Sequence, residues 1–85
     1  MKCNYNTIKS IIDQWDPLLL LHMTPDDEYD LEIKKIVKFI NASDYINDSE
    51  LAKEIQNIFL LAFGSSFHKD YDTCIEISKK ILEEI

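Results

Sequence analysis

The chain has 85 residues, 46% of them hydrophobic, and carries sixteen acidic against nine basic residues for a net charge of −7. A chain of this length buries roughly 60 to 65% of the surface that its unfolded form exposes, which is enough for one modest core, so we predict a single domain over residues 1–85. Because all nine bases are lysine, with neither an arginine nor a basic patch, a nucleic-acid role is disfavoured and a basic protein partner is favoured.

Apolar spacing and helix-start residues predict an all-α fold, a compact bundle of four main helices plus one short apolar helix. The sequence has one glycine and two prolines, and no segment alternates apolar and polar residues for long enough to make a convincing strand. In the predicted helices apolar residues recur at spacings of three and four, which places them on one stripe. In chain order the predicted helices cover about residues 4–15, 17–22, 25–40, 48–63 and 70–85.

Two predicted helix starts lie close together in the stretch W-D-P-L-L-L-L-H-M-T-P-D-D-E-Y-D, which ends at Asp30. Asp16, followed by a proline, has the pattern of an N-cap with proline at the first helical position, and it predicts the short helix at 17–22. Thr24, followed by Pro25 and an acid at the third helical position, repeats the pattern and predicts the next main helix. Carboxylates in that first turn are expected to complement the positive end of the helix.

Later helix boundaries are marked by residues with defined local roles. Asn47 is expected to cap the next helix, with Glu50 at the third helical position. Gly64, the single glycine, follows that helix directly and is expected to adopt a positive φ that closes it. We expect Phe67 to cover the end of the core and Cys74 to lie within it.

The sequence also indicates a cellular setting. The N-terminus lacks an apolar stretch of signal-peptide length, and the longest purely apolar run is 18–21, so we expect a cytoplasmic protein that does not span a membrane. In that setting Cys3 and Cys74 are expected to be reduced thiols rather than a disulfide.

Negative charge is concentrated in one third of the chain. Seven acids and no lysine lie between residues 10 and 33, and this cluster is either a solvated face or a surface that steers a partner. Trp15 and Tyr29 have two interpretations as well. In one, Trp15 closes the base of the bundle and Tyr29 packs beside it with its hydroxyl reaching a polar partner; in the other, both are interface anchors within an acidic rim. The predicted interaction surface comprises Trp15, Asp16, Asp26, Asp27, Tyr29, Asp30 and Glu32.

No residue is predicted to be catalytic, to bind a cofactor or to bind a metal. The acidic cluster does not match a calcium-binding EF-hand loop, because counting from Asp26 the sixth residue is Leu31 and the twelfth is Val37. On a helix Asp26 and Asp30 would share a face, and they could bind a basic group or serve acid/base chemistry. No glycine-rich loop, nucleophile or histidine pair accompanies them.

Five short motifs follow one another along most of the chain. They are W-D-P-L at 15–18, P-D-D-E-Y-D at 25–30, E-I-x-x-I at 32–36, L-A-x-x-I-x-x-I-F at 51–59 and F-G-x-x-F at 63–67. Together they resemble the small bacterial YugE-like proteins, a family of unknown function, over about residues 8–82. The resemblance implies a cytosolic, compact, all-helical protein, and it brings no catalytic or ligand-binding residues to carry over.

The sequence therefore favours a non-enzymatic protein-interaction module whose acidic surface binds a basic partner, in one version an immunity or antitoxin protein that neutralises a basic toxin. The alternative is a small-molecule- or metal-binding protein or enzyme that uses Asp26 and Asp30, with His22 as a further candidate. No cofactor is predicted. The protein is expected to be a monomer or a homodimer, the latter through exposed leucines at 18–21 or at Leu60 and Leu61.

Overall fold

Four α-helices make up the regular structure of residues 2–17 and 29–85, the part of the chain that the computed structural model describes, and no strand occurs in this part. The predicted all-α class is confirmed. A single 3₁₀ turn, Gly64–Ser66, follows the third helix. The helices are α1 (Tyr5–Trp15), α2 (Asp30–Asn41), α3 (Asp48–Phe63) and α4 (Tyr71–Glu84).

Three of the helices begin at a side-chain cap. Asn4, Asn47 and Asp70 each have an extended backbone, and the side-chain oxygen of each accepts a hydrogen bond from the backbone N–H three residues later, at 2.8 to 2.9 Å. Such bonds satisfy one of the four N–H groups that a helix start leaves without an intrahelical partner. The predicted cap from Asn47 to the N–H of Glu50 is confirmed.

Gly64 ends α3 as the sequence predicts. Its φ is +57° and its N–H donates to the carbonyl of Leu60. A Cβ at this position would meet no atom within 4 Å, so glycine is required by the backbone conformation and not by space. The chain then turns through Gly64–Ser66 and places Phe67 in the core, where only 5% of its surface is exposed.

Asp16 ends α1 instead of beginning a new helix. Its φ of 43° is left-handed, and its N–H donates to the carbonyl of Ile12 at 2.8 Å. An N-cap residue has an extended backbone, so the predicted N-cap role of Asp16 is wrong; aspartate tolerates the left-handed region that closes a helix. Pro17 lies in a turn, and the remainder of the predicted helix 17–22 falls in residues 18–28, outside the described part of the chain.

The described part of α2 begins later than the sequence predicts. Tyr29 is the boundary residue, in a turn with φ −99° and ψ 14°, and the first helical residue is Asp30. A helix running unbroken over 25–40 is therefore wrong, although the predicted start at Pro25 itself lies outside the described residues. Tyr29 is fully buried and its hydroxyl contacts Asp16, so a tertiary contact holds the residue at which the helix begins.

The helices form a closed ring around an isoleucine-rich core. Each helix packs against its neighbours along the chain, and α4 returns to α1. Two aromatic residues, Tyr29 and Phe59, are the largest fully buried side chains. The other buried apolar residues in the described part of the chain are Ile8, Ile12, Ile33, Ile36, Ile40, Ile46, Leu51, Ala52, Ile55, Ile58, Phe67, Cys74, Ile77 and Ile81.

Candidate functional site

The end of α1 and the start of α2 are joined by a buried tyrosine. The Tyr29 hydroxyl donates a hydrogen bond to Oδ1 of Asp16 at 2.6 Å. Tyr29 has no exposed surface, which agrees with the predicted packing role. A hydroxyl that is buried with its ring needs such an acceptor, because an unpaired polar group in the core costs about 1 to 3 kcal/mol.

Asp30 is tied to α1 and to its own helix. It accepts a hydrogen bond from the Tyr5 hydroxyl, and its Oδ2 lies 2.9 Å from Nζ of Lys34, one turn later on α2. The hydrogen bond from Tyr5, followed by that from Lys34, lowers the pKa of the Asp30 carboxyl below its ordinary value. A carboxylate held in this way is ionised at neutral pH, which makes it a poor proton donor for acid/base chemistry.

The other acids of the predicted interaction surface add no exposed carboxylate to it among the described residues. Glu32 is only 6% exposed, which leaves it little surface to offer a partner. Asp26 and Asp27 lie outside the described residues. The structure therefore brings Asp16, Tyr29 and Asp30 together as contacts between α1 and α2, and their use as a binding surface stays a prediction.

Trp15 is the aromatic member of the predicted surface that keeps part of its side chain exposed. Its indole packs edge-to-face on Phe59 at 5.8 Å and on Phe67 at 6.2 Å between ring centroids. Its Nε1 is buried and has no hydrogen-bond acceptor among the described residues. The indole thus closes one end of the core and carries an N–H donor that the described part of the fold does not use.

A continuous groove runs between α1 and α4 and ends at this indole. It consists of two adjoining depressions that share Ile11, Gln14 and Lys80, the larger with a volume of about 580 Å³. One depression extends toward the start of α1 and the other toward Trp15. The further lining residues are Asn4, Asn6, Thr7, Ser10, Glu83 and Glu84 in the first, and Thr73, Glu76 and Ile77 in the second.

The α1 wall of this groove is uncharged and the α4 wall is acidic. Asn6, Ser10 and Gln14 lie four residues apart on α1, which places their amide and hydroxyl groups in one row. On α4 the groove residues include three glutamates and one lysine, so the lining has an excess of negative charge. Together the walls offer hydrogen-bond donors, acceptors and carboxylates to a ligand.

The sequence interpretation missed this groove, although one signal for it was present. In a chain in which 29% of residues are charged, the row Asn6, Ser10, Gln14 is uncharged over two turns of an amphipathic helix. An exposed row without charges is unusual for a solvated face and is compatible with a contact surface. Its pairing with α4 could not be read from the sequence, because the two walls are more than 50 residues apart along the chain.

The thiols have the properties of structural cysteines. Cys74 is fully buried, and burial, with a smaller contribution from Asp70, raises the pKa of its thiol to about 11. Burial also raises the pKa of the Cys3 thiol. Both are therefore protonated at neutral pH, whereas the thiolate is the nucleophilic form.

The described residues hold no group of three or more histidine, cysteine, aspartate or glutamate side chains placed to bind a metal ion. Within the same part of the chain, no helix combines the length and apolar character needed to cross a bilayer.

The ring of four helices, the isoleucine-rich core and the polar groove define a small all-helical domain. A family model described as a domain of unknown function, DUF1871, matches residues 7–84. The match covers nearly the whole chain, and the chain belongs to this family. No curated protein and no solved structure matches the chain.

Proposed function

We propose that the protein is a non-enzymatic interaction module that binds an extended, basic segment of a partner protein along the groove between α1 and α4. The single observation that carries this proposal is the continuity of the groove, from the uncharged row of α1 to the partly exposed indole of Trp15. The sequence-based preference for a basic partner is retained, but the contact is moved from the predicted acidic surface to this groove.

The α1 wall supports the binding of a main chain. An extended segment carries one N–H donor and one carbonyl acceptor per residue. The amides of Asn6 and Gln14 can donate and accept hydrogen bonds, and the hydroxyl of Ser10 can do both as well. Groups of this kind recognise a backbone without requiring a particular side chain, so the groove suits a segment of varied sequence.

Trp15 supports an anchor at one end of the groove. Tryptophan is enriched among the residues that contribute most to protein–protein binding, because it buries a large apolar surface and retains a polar N–H. Here the ring is already held by Phe59 and Phe67, so little of its conformational freedom remains to be lost on binding.

The charge of the α4 wall supports a basic occupant. Glu76, Glu83 and Glu84 outnumber Lys80 in the groove, and the whole chain carries a net charge of −7. A lysine- or arginine-rich segment is attracted by both the local and the overall field, which speeds its association most at low ionic strength.

The YugE-like resemblance adds a setting to the proposal, which is the bacterial cytoplasm. An immunity or antitoxin role for a basic toxin is a specific form of the same function, since it requires only a basic partner segment. The predicted contribution of Asp26 and Asp27 also belongs to the proposal, as a second acidic patch for such a partner.

A small-molecule or metal-dependent activity based on Asp26 and Asp30 has less support. The Asp30 carboxylate already binds Tyr5 and Lys34, and its lowered pKa opposes proton donation at neutral pH. We therefore retain the interaction module as the function.

A random 12-residue peptide library displayed on phage and panned against the immobilised full chain tests the proposal. We expect the selected peptides to be enriched in lysine and arginine and to change Trp15 fluorescence when they bind. Glu76→Lys should weaken their binding about tenfold or more, which corresponds to a loss of about 1.4 kcal/mol. Enrichment without basic residues, or no enrichment over the bare support, contradicts the proposal.

The matched control is Glu50→Lys, the same charge reversal at an exposed glutamate of α3 that does not line the groove. Both variants carry the same net charge, so a difference between them reports the local contact and not the overall field. Equal affinities for the two variants would show that the α1–α4 groove is not the binding site. Circular dichroism confirms that both remain helical.

A further inference from the structure

Two leucines are largely exposed on the face formed by α2 and α3. Leu31 is 67% exposed and Leu61 is 81% exposed. A single exposed leucine needs no explanation, but Leu61 also borders a groove of about 400 Å³ whose apolar lining includes Phe39, Ala42 and Ile58. The face therefore combines protruding leucines with an apolar depression beside them, a pattern associated with protein contacts.

The two helices run in opposite directions along this groove. At one end Tyr29, at the start of α2, lies 6.3 Å from the ring of Phe63, at the end of α3. At the other end Ala42 and Glu54 line the same depression. Leu31, one helical turn before the groove residue Lys35, therefore lies at the end of the groove to which Leu61 belongs.

The two walls of the groove carry opposite charges. Lys35 and Lys38 line it from α2, and Glu54 lines it from α3. A two-fold axis running along the groove places α2 of one copy over α3 of another, since it exchanges the two walls and keeps the position along the groove. Each lysine wall then faces the other copy's glutamate, and the protruding leucines of the two copies meet.

We infer that the α2–α3 face is the interface of a symmetric homodimer. In this dimer Leu31 of each copy packs on the other copy's Leu61, and Lys38 of each copy faces the other copy's Glu54. The charge pattern selects a second copy as the occupant, because one surface supplies both members of each complementary pair. The face lies on helices other than those of the α1–α4 groove, so the dimer and the proposed function are independent of each other and are tested separately.

Sedimentation equilibrium of the full chain at 0.15 M salt tests the dimer, with subunit concentrations from about 1 µM to about 1 mM. The screening length is then ~8 Å, which reduces repulsion between two chains of like net charge while short contacts persist. We expect a reversible monomer–dimer equilibrium that Leu61→Lys shifts toward monomer by at least tenfold. A wild-type chain that remains monomeric over the whole range overturns the inference.

Tyr45→Lys is the matched control, because Tyr45 is also a large apolar residue, 75% exposed, and does not line this groove. It should leave the dimerisation constant within about twofold of the wild-type value. If Leu61→Lys and Tyr45→Lys weaken the dimer equally, the α2–α3 face is not the interface. Circular dichroism and urea unfolding show whether each variant is folded, so that loss of the dimer is not confused with loss of the fold.

A charge swap distinguishes this arrangement from other dimers. One variant, Lys35→Glu with Lys38→Glu, makes both walls acidic, and the other, Glu54→Lys, makes both walls basic. Each alone should dimerise at least tenfold more weakly than the wild type, whereas an equimolar mixture should form a heterodimer, because every facing pair is again opposite in sign. Failure of the mixture to associate more strongly than its components overturns the arrangement.

Discussion

Asp30 shows how one carboxylate can stabilise two contacts at once. It accepts a hydrogen bond from Tyr5, which is 25 positions earlier, and forms an ion pair with Lys34 on its own helix. It also stands in the first turn of α2, where the helix dipole favours a negative charge. The hydrogen bonds from Tyr5 and Lys34 favour the ionised form, which is why the pKa of Asp30 is lowered.

We predict that the stability contributed by Asp30 depends on pH. Because its folded-state pKa is lowered, this contribution is complete above the unfolded-state pKa of about 4 and disappears as the pH falls through the folded-state value. Asp30→Asn should therefore be less stable than wild type at pH 6, and the difference should shrink toward pH 3. Urea unfolding at both pH values measures this.

The control for Asp30 is Asp44→Asn, which changes the charge equally in the exposed loop between α2 and α3. Its stability should stay close to that of wild type at pH 6. If the difference in unfolding free energy between Asp30→Asn and wild type stays constant from pH 6 to pH 3, the role assigned to the ionised carboxylate is contradicted.

At the scale of the elements, the helix boundaries divide into two kinds. The start of α3 at Asn47 and its end at Gly64 were predictable, because a cap and a left-handed glycine act on backbone groups within four residues. The end of α1 at Asp16 and the start of α2 after Tyr29 were not, because these two residues contact each other across the fold. A local capping pattern at Asp16 was overridden by that contact.

We predict that Asn47→Ala destabilises the protein by about 1 kcal/mol, because it removes the hydrogen bond to the N–H of Glu50 and leaves a helix-start donor to water alone. Asn57→Ala is the matched control, the same substitution at an exposed position inside α3. Alanine favours a helix interior, so this control should be neutral or more stable by a few tenths of a kcal/mol. Equal effects in urea unfolding would contradict the capping role.

For the whole molecule, Phe59 of α3 is the residue on which the aromatic contacts converge. Its ring centroid lies 5.8 Å from that of Trp15, 5.9 Å from Tyr29 and 5.4 Å from Phe67. These rings belong to the end of α1, the start of α2 and the segment before α4. Phe59 therefore links these three parts of the chain at one end of the bundle.

We predict that Phe59→Ala costs about 3 to 5 kcal/mol, because a large buried ring is removed and a cavity remains. That is a large share of the about 4 to 13 kcal/mol expected for a chain of this length. Phe59→Leu keeps most of the apolar volume and should cost about 1 to 2 kcal/mol, which keeps the comparison measurable if the alanine variant does not fold.

Urea unfolding followed by circular dichroism and by Trp15 fluorescence measures both Phe59 variants. Because the indole touches this ring, its fluorescence in the folded state should change as well. Tyr45→Ala, at an exposed aromatic residue, is the control and should cost less than about 0.5 kcal/mol. A Phe59→Ala variant no less stable than this control would contradict the central packing role.

The sequence by itself determined the helical class, the stripes that became the core, the cap at Asn47, the closing glycine at 64 and the burial of Phe67 and Cys74. Each of these depends on periodicity or on groups within about four residues along the chain, where backbone geometry fixes what can meet. The acidic cluster was recognised for the same reason, as a local excess of charge.

Only the tertiary structure decided what those acids do and which surfaces are formed. Asp16 meets Tyr29 and Asp30 meets Tyr5 across 13 and 25 positions, and Glu32 is buried. Both grooves arise where separate helices come together. The physical reason is that hydrogen bonding, burial and surface shape depend on the neighbours that folding brings close. A local sequence pattern shows which groups are present, but it does not show which groups they will contact in the fold.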